Sequence, residues 1–307
     1  MFIEYIDSLP EDIEEINVSD KGINSLDVTR FRKLKKLYCS NNQLTSLQLN
    51  ENLEILVCYN NRLTSLQTEN LQRLRCNNNK LTSLQLNENL RELDCDNNRL
   101  TSLHLNENLR ELSCCHNELT SLQLNENLQT LSCYNNQLTS LHLNENLRQL
   151  SCSNNKLTSL HLNENLQTLW CHHNQLTSLH LNENLRELSC SHNELTSLHL
   201  NERLQELYCY NNQLTSLQLN EKLQTIVYYV NPIYEIINSS VIDIIKRKIR
   251  VLNQFRYLYY SLKFKKRLRD LLWVKIREPK IRERYSHDYL IANLHEETDL
   301  DELLNNW

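Results

Sequence analysis

The chain is nearly devoid of glycine: Gly22 stands alone in 307 residues, beside three prolines. Conventional α/β proteins draw their turns heavily from these two residue types, so an ordinary globular α/β fold is excluded. A single glycine also rules out glycine-rich phosphate loops, and no HExxH or GxSxG sequence is present. No apolar run approaches the ~18 residues of a membrane span, so no transmembrane segment is expected. The N-terminus, MFIEYIDSLPEDIEEINVSD, lacks the basic and apolar regions of a signal peptide. A cytoplasmic protein is the resulting expectation.

Leucine, asparagine and cysteine fill the gap, and they recur. Cysteines fall at 39, 58, 76, 95, 114, 133, 152, 171, 190 and 209, nineteen residues apart except for eighteen between Cys58 and Cys76. Around each the same phrase returns, as in LQTLSCYNNQLTSLHLNEN from Leu128 to Asn146. Its skeleton, L-x-x-L-x-C-x-x-N-x-L-T-S-L-x-L-x-x-N, resembles the leucine-rich-repeat pattern L-x-x-L-x-L-x-x-N/C-x-L, with cysteine at the third apolar position. The resemblance covers roughly residues 13–231. Similar cysteine columns occur in some internalin-type bacterial repeats of longer period.

The resemblance implies a repeat solenoid with a parallel β-sheet on its concave face. The physics of the coil agrees. One nineteen-residue coil cannot bury its five leucines and one cysteine alone, but stacking buries them at roughly 1.5–3 kcal/mol per leucine before ordering entropy is charged. L-x-x-L-x-C alternates at period two, as a strand does, beginning near Ile13, Leu34 and each equivalent residue to Leu223. Twelve coils at ~4.8 Å per rung make a rod of about 55 Å. The return segment is too short for much helix, so extended or 3₁₀ structure is expected on the outer face. The asparagines from Asn42 to Asn231 that follow each strand are expected to stack as a ladder, satisfying turn amides and carbonyls. Asparagine also tolerates left-handed turns, which suits a chain without glycine. The organisation read from this is an N-terminal cap with a degenerate first repeat (1–33), the solenoid (34–231) and a helical C-terminal segment (232–307).

The ten cysteines point inward and show no C-x-x-C spacing, so they are expected to be reduced thiols packed as small hydrophobes. Cys115 follows Cys114 directly, which places it on the concave face, where a thiol can be exposed. Histidines 104, 142, 161, 180 and 199 share a position that other coils fill with glutamine, and read as solvated outer-face residues. No metal site, cofactor or catalytic group is expected.

Outward strand positions can vary without harming the solenoid, and they carry the functional text. Exposed aromatics beside small serines suit a protein-binding surface. The candidate partner-binding residues on the concave face are Tyr134, Trp170, His172, His173, Tyr208 and Tyr210. The leading expectation is a non-enzymatic protein–protein interaction module.

After Pro232 the composition changes. Ile242, Ile245, Ile249, Leu252, Phe255, Tyr259 and Leu262 mark an amphipathic helix opened by Ser239 or Ser240, and Phe264–Arg277 a second helix. Thr298 with Asp301 resembles a capping box for a short last helix. Residues 241–284 carry fifteen Lys/Arg against four Asp/Glu, a net of +11, whereas residues 1–240 carry eighteen against twenty-eight, a net of −10. The alternative reading is therefore nucleic-acid or anionic-surface binding through 241–284. A ubiquitin-ligase domain, as some bacterial repeat effectors carry, needs a cysteine after the solenoid, and none follows Cys209. The phrase LRDLLWVKIREPKIRERYSHDYLIANLHEETDLDELLNNW resembles the C-terminus of leucine-rich-repeat proteins of giant DNA viruses of amoebae, which implies a viral protein in host cytoplasm.

Overall fold

A computed structural model describes Ile6, residues 8–67 and residues 69–280. Within the first compact unit, residues up to Ile249, the repeat forms a solenoid around a twelve-stranded parallel sheet, with strands added in chain order from Glu15–Asn17 to Thr225–Val227. Each strand is three residues long. Its central residue, leucine in all but the first strand (Ile16) and the last (Ile226), pairs with the equivalent residue one coil on, as in Leu131↔Leu150 and Leu150↔Leu169. The hydrogen-bonded ladder runs further than the strands. Arg148 N donates to Gln129 O at 2.8 Å, and Cys152 N and Asn154 N donate to Trp170 O and His172 O of the next coil at 2.8 and 2.9 Å.

The coil between Cys58 and Cys76, one residue short, keeps this register: Leu56 pairs with Leu74 and Val57 with Arg75. The deletion is absorbed in the return segment, where Asn70 takes a left-handed φ of 59°. On the outer face the chain is extended. It pairs briefly at Ser25–Asp27 with Ser46–Gln48 and at Leu198–His199 with Leu217–Gln218. No 3₁₀ helix occurs among the described residues.

Asparagine does more work here than one ladder. Nδ2 of Asn136 donates to Cys114 O of the preceding coil (3.0 Å) and Cys133 O of its own (3.1 Å), while its Oδ1 accepts from Leu119 N at 3.0 Å. The same three bonds recur from Asn42 to Asn231. A second ladder, not anticipated from the sequence, uses the first asparagine of L-N-E-N: Asn125 donates to the carbonyls of Asn106 and Leu109. A third uses the last, with Asn127 donating to Glu107 O at 2.9 Å. The left-handed turn is carried by the residue before each first-ladder asparagine, from Asn41 to Val230, with φ between 51° and 55°. Eight of these eleven positions hold asparagine or valine, and three hold histidine: His116, His173 and His192.

Both ends of the core are closed. At the N-terminal end Val18, Val28 and Phe31 are fully buried. At the other end helix α1, Pro232–Ile237, starts on a proline, whose missing N–H costs nothing at a helix N-terminus. It buries Ile233 and Ile237, and Ile245 and Ile249 of helix α2 (Ile242–Leu272) are buried as well. Ser239 Oγ accepts from Val241 N at 3.3 Å ahead of α2. Two helices were expected over 242–277. One forms, because no glycine or proline interrupts the sequence near Lys263, and only a π-helical stretch at Trp273–Arg277 breaks its regularity.

The second compact unit begins at Arg250. There the stripe expected to be amphipathic has Phe255, Tyr259 and Leu262 exposed, and Tyr257, Tyr260 and Phe264 are exposed with them. Apolar side chains surround the helix instead of sharing one face, which corrects the amphipathic expectation. The Thr298–Asp301 capping box and the last part of the basic run (281–284) lie outside the described residues.

Candidate interaction surface

The outward residues of the sheet stand in columns because every coil repeats the same register. In the central column Ser151, Trp170, Ser189, Tyr208 and Val227 are successive neighbours. The column beside it begins at Gln149 and continues through Thr168, Glu187, Glu206 and Thr225. No lysine or arginine occupies an outward position on these five strands. The earlier coils differ: Lys36 pairs with Glu15 at 3.5 Å, and Arg73 with Glu92 through two hydrogen bonds that hold the carboxyl below its usual range.

Of the six residues singled out in the sequence, five fall within three successive coils, Trp170, His172 and His173 on the first and Tyr208 and Tyr210 on the third. Trp170 is 48% exposed, His173 is exposed, and His172, Tyr208 and Tyr210 are partly so. Tyr134 stands apart, edge-on to His116 with ring centroids 5.0 Å apart.

His172 is held from two sides. Its Nδ1 lies 2.9 Å from Ser153 Oγ and 3.3 Å from Ser189 Oγ. Burial, and then the neighbouring His173 and His192, lower its pKa. From it an unbroken run of rings extends along the strand ends. His172 meets His173 edge-on at 5.7 Å, His173 stacks on His192 at 3.9 Å, His192 meets Tyr210 edge-on at 5.1 Å, and Tyr210 stacks on Tyr229 at 4.6 Å.

His192 and Tyr229 were not among the residues read from the sequence. The signal for His192 was available, since it replaces the asparagine that most coils place at the left-handed position. Tyr229 falls in the last, irregular coil, where column alignment is weakest.

Cys115 is not exposed. Tyr134 and Asp96 flank it: Asp96 Oδ1 accepts from Cys115 N at 2.6 Å and from Ser113 Oγ at 2.7 Å, and the thiol is closed off from solvent. Burial, reinforced by the Asp96 charge, pushes its pKa up to about 12. All eleven cysteines are buried and free, and burial raises the thiol pKa of each. A thiol with so little thiolate is a poor nucleophile. Histidines 104, 142, 161, 180 and 199 are exposed on the outer face. Among the described residues no group of three or more His, Cys, Asp or Glu side chains is arranged to hold a metal ion, and no helix is long and apolar enough to cross a membrane.

No family model and no curated protein matches the chain. Solved structures do. YopM from Yersinia enterocolitica is similar at 29% identity and a TM-score of 0.63, over 73% of this chain and 57% of YopM. The functional domain of InlJ from Listeria monocytogenes, which includes a cysteine ladder, is similar at 29% identity and a TM-score of 0.61, over 70% of this chain and 58% of that one. YopM from Yersinia pestis, a leucine-rich effector protein, is similar at 27% identity and a TM-score of 0.56, over 71% and 78%. The chain thus spans less than three fifths of the length of the first two. The nineteen-residue coil, the parallel rungs and these likenesses together make it a leucine-rich-repeat solenoid.

Proposed function

We propose that this protein is a non-enzymatic interaction scaffold that grips a protein partner with the C-terminal half of its concave sheet. The observation that carries the reading is the grouping of Trp170, His172 and His173 on one coil with Tyr208 and Tyr210 two coils on, across Ser189, in coils whose other positions repeat almost unchanged. Rigid amphipathic rings are the side chains that contribute most to protein interfaces, since they bury large areas at small entropic cost. The solenoid neighbours support a binding scaffold in general. Eleven buried free thiols fit a reducing, cytoplasmic setting, which would be host cytoplasm if the likeness of the C-terminal phrase to amoebal-virus proteins reflects origin.

The test is affinity capture of the full chain from nuclease-treated cell lysate, with the double variant Trp170→Ala, Tyr208→Ala and the outer-face pair His161→Ala, His180→Ala in parallel. A defined protein captured by the native chain and the outer-face variant, and lost with the concave variant, is expected. Capture that survives the concave variant would overturn the reading.

A second reading has one specific observation behind it. Lys263, Lys265, Lys266 and Arg267 lie along α2 within a turn or two of exposed Tyr259, Tyr260 and Phe264, a grouping able to contact phosphates and stack bases. It predicts nuclease-sensitive capture with a steep dependence on salt, lost when these cations are replaced by glutamine.

A further inference from the structure

The register of the sheet sets two aromatic side chains on either side of a small one. Trp170 and Tyr208 are the immediate neighbours of Ser189 in the central column, on the coils before and after it. Two rungs separate them, roughly 9.5 Å at ~4.8 Å per rung. A planar cation between two rings needs about 3.5 Å on each side, so this spacing admits one with room to adjust. Ser189 is the floor, tied down by its contact with His172 Nδ1 at 3.3 Å.

One end of this slot is acidic. Glu187 precedes Ser189 by two residues and so faces the same side, and Glu206, its register partner, stands in the same relation to Tyr208. The Tyr208 hydroxyl leans toward Glu206 Oε2, at 3.4 Å. Both carboxylates are partly exposed, and among the described residues no ion pair reaches either. Two aromatic faces beside two uncompensated carboxylates are the ingredients of cation recognition: ring quadrupoles attract the cation and the carboxylates accept its N–H donors. Arginine fits better than lysine, because its plane stacks on rings while its edge forks onto a carboxylate.

We infer that Trp170, Tyr208, Glu187 and Glu206 form a slot over Ser189 for a cationic side chain, arginine in preference to lysine, of the bound protein. This rests on the concave face being the binding surface, and it specifies the chemistry of what binds there: a basic segment anchored by one inserted side chain.

The test uses full-length protein carrying 15N-labelled indoles, with the Trp170 resonance assigned from Trp170→Phe. N-acetyl-arginine amide is titrated in, and then N-acetyl-citrulline amide, which has the same shape without the charge. A saturable shift of the Trp170 indole with the arginine compound is expected, with citrulline at least about tenfold weaker, the scale of one desolvated cation–π contact with its ion pair. Glu187→Gln with Glu206→Gln should weaken the arginine compound by a similar factor while leaving the indole resonance of the free protein in place. Equal binding of citrulline, no shift of Trp170, or unchanged binding by the double glutamine variant would overturn the slot. If partner capture is lost with Trp170→Ala, Tyr208→Ala but kept with the two glutamines, the slot falls and the concave-face reading stands.

Discussion

His173 and His192 lie face to face on adjacent coils, ring centroids 3.9 Å apart and planes inclined by 13°. Burial and the nearby His173 lower the pKa of His192, and burial with His173 and His192 lowers that of His172. Below the ordinary histidine range the unfolded chain therefore binds more protons here than the native one, and stability rises with pH. This contribution is fully present above about pH 6.5, the unperturbed value, and is lost as pH falls below it. The urea midpoint should drop between pH 7.5 and 5.0. Replacing His192 by asparagine, the commonest residue at that left-handed position, should make the drop smaller; an unchanged pH dependence would show that the stacked histidines do not contribute.

The asparagine ladders differ in what their loss should cost. Asn136→Ala leaves Leu119 N without its buried partner and takes one of two amide donors from the carbonyls of Cys114 and Cys133, which keep Asn117 and Asn155, so a loss on the order of 2 kcal/mol is expected. Asn127→Ala removes an exposed bond to Glu107 O and should cost less than about 1 kcal/mol. Chemical denaturation of the two variants checks the contrast, and equal losses would contradict the different roles of the two ladders.

Thiol chemistry separates the concave face from the core. Cys115 sits at an outward strand position yet is sealed, with its pKa raised to about 12 by burial and Asp96. In the native protein at pH 8 it should resist iodoacetamide as well as Cys133 does, and all eleven cysteines should react once the chain is unfolded. Mass spectrometry of the labelled peptides reads this directly. Rapid native labelling of Cys115 would mean that Tyr134 and Asp96 do not cover it.

Much of this fold is legible in the sequence because its period is the structure. A nineteen-residue step places Leu150 against Leu131 and Leu169 without further information. The inward cysteines and the ladder from Asn42 to Asn231 follow from the same alternation. What escaped the reading lies where the period gives no orientation. The extra asparagine ladders depend on how the return segment turns, and helix α1 depends on Pro232 being a helix start where the repeat ends. Alternation correctly gave Cys115 an outward position but not its burial, which comes from the unlike side chains of Tyr134 and Asp96 on neighbouring coils. The aromatic cluster was readable as a deviation between coils, whereas the ring-to-ring run through His192 to Tyr229 needed three-dimensional geometry.

The most direct measurement of where a partner sits is site-specific photocrosslinking in lysate, with benzoylphenylalanine replacing Trp170 on the concave face, His161 on the outer face, or Tyr260 on α2. A discrete crosslinked protein is expected from position 170, with none from position 161. Crosslinks confined to position 260, or equal from 161 and 170, would contradict the concave-face reading.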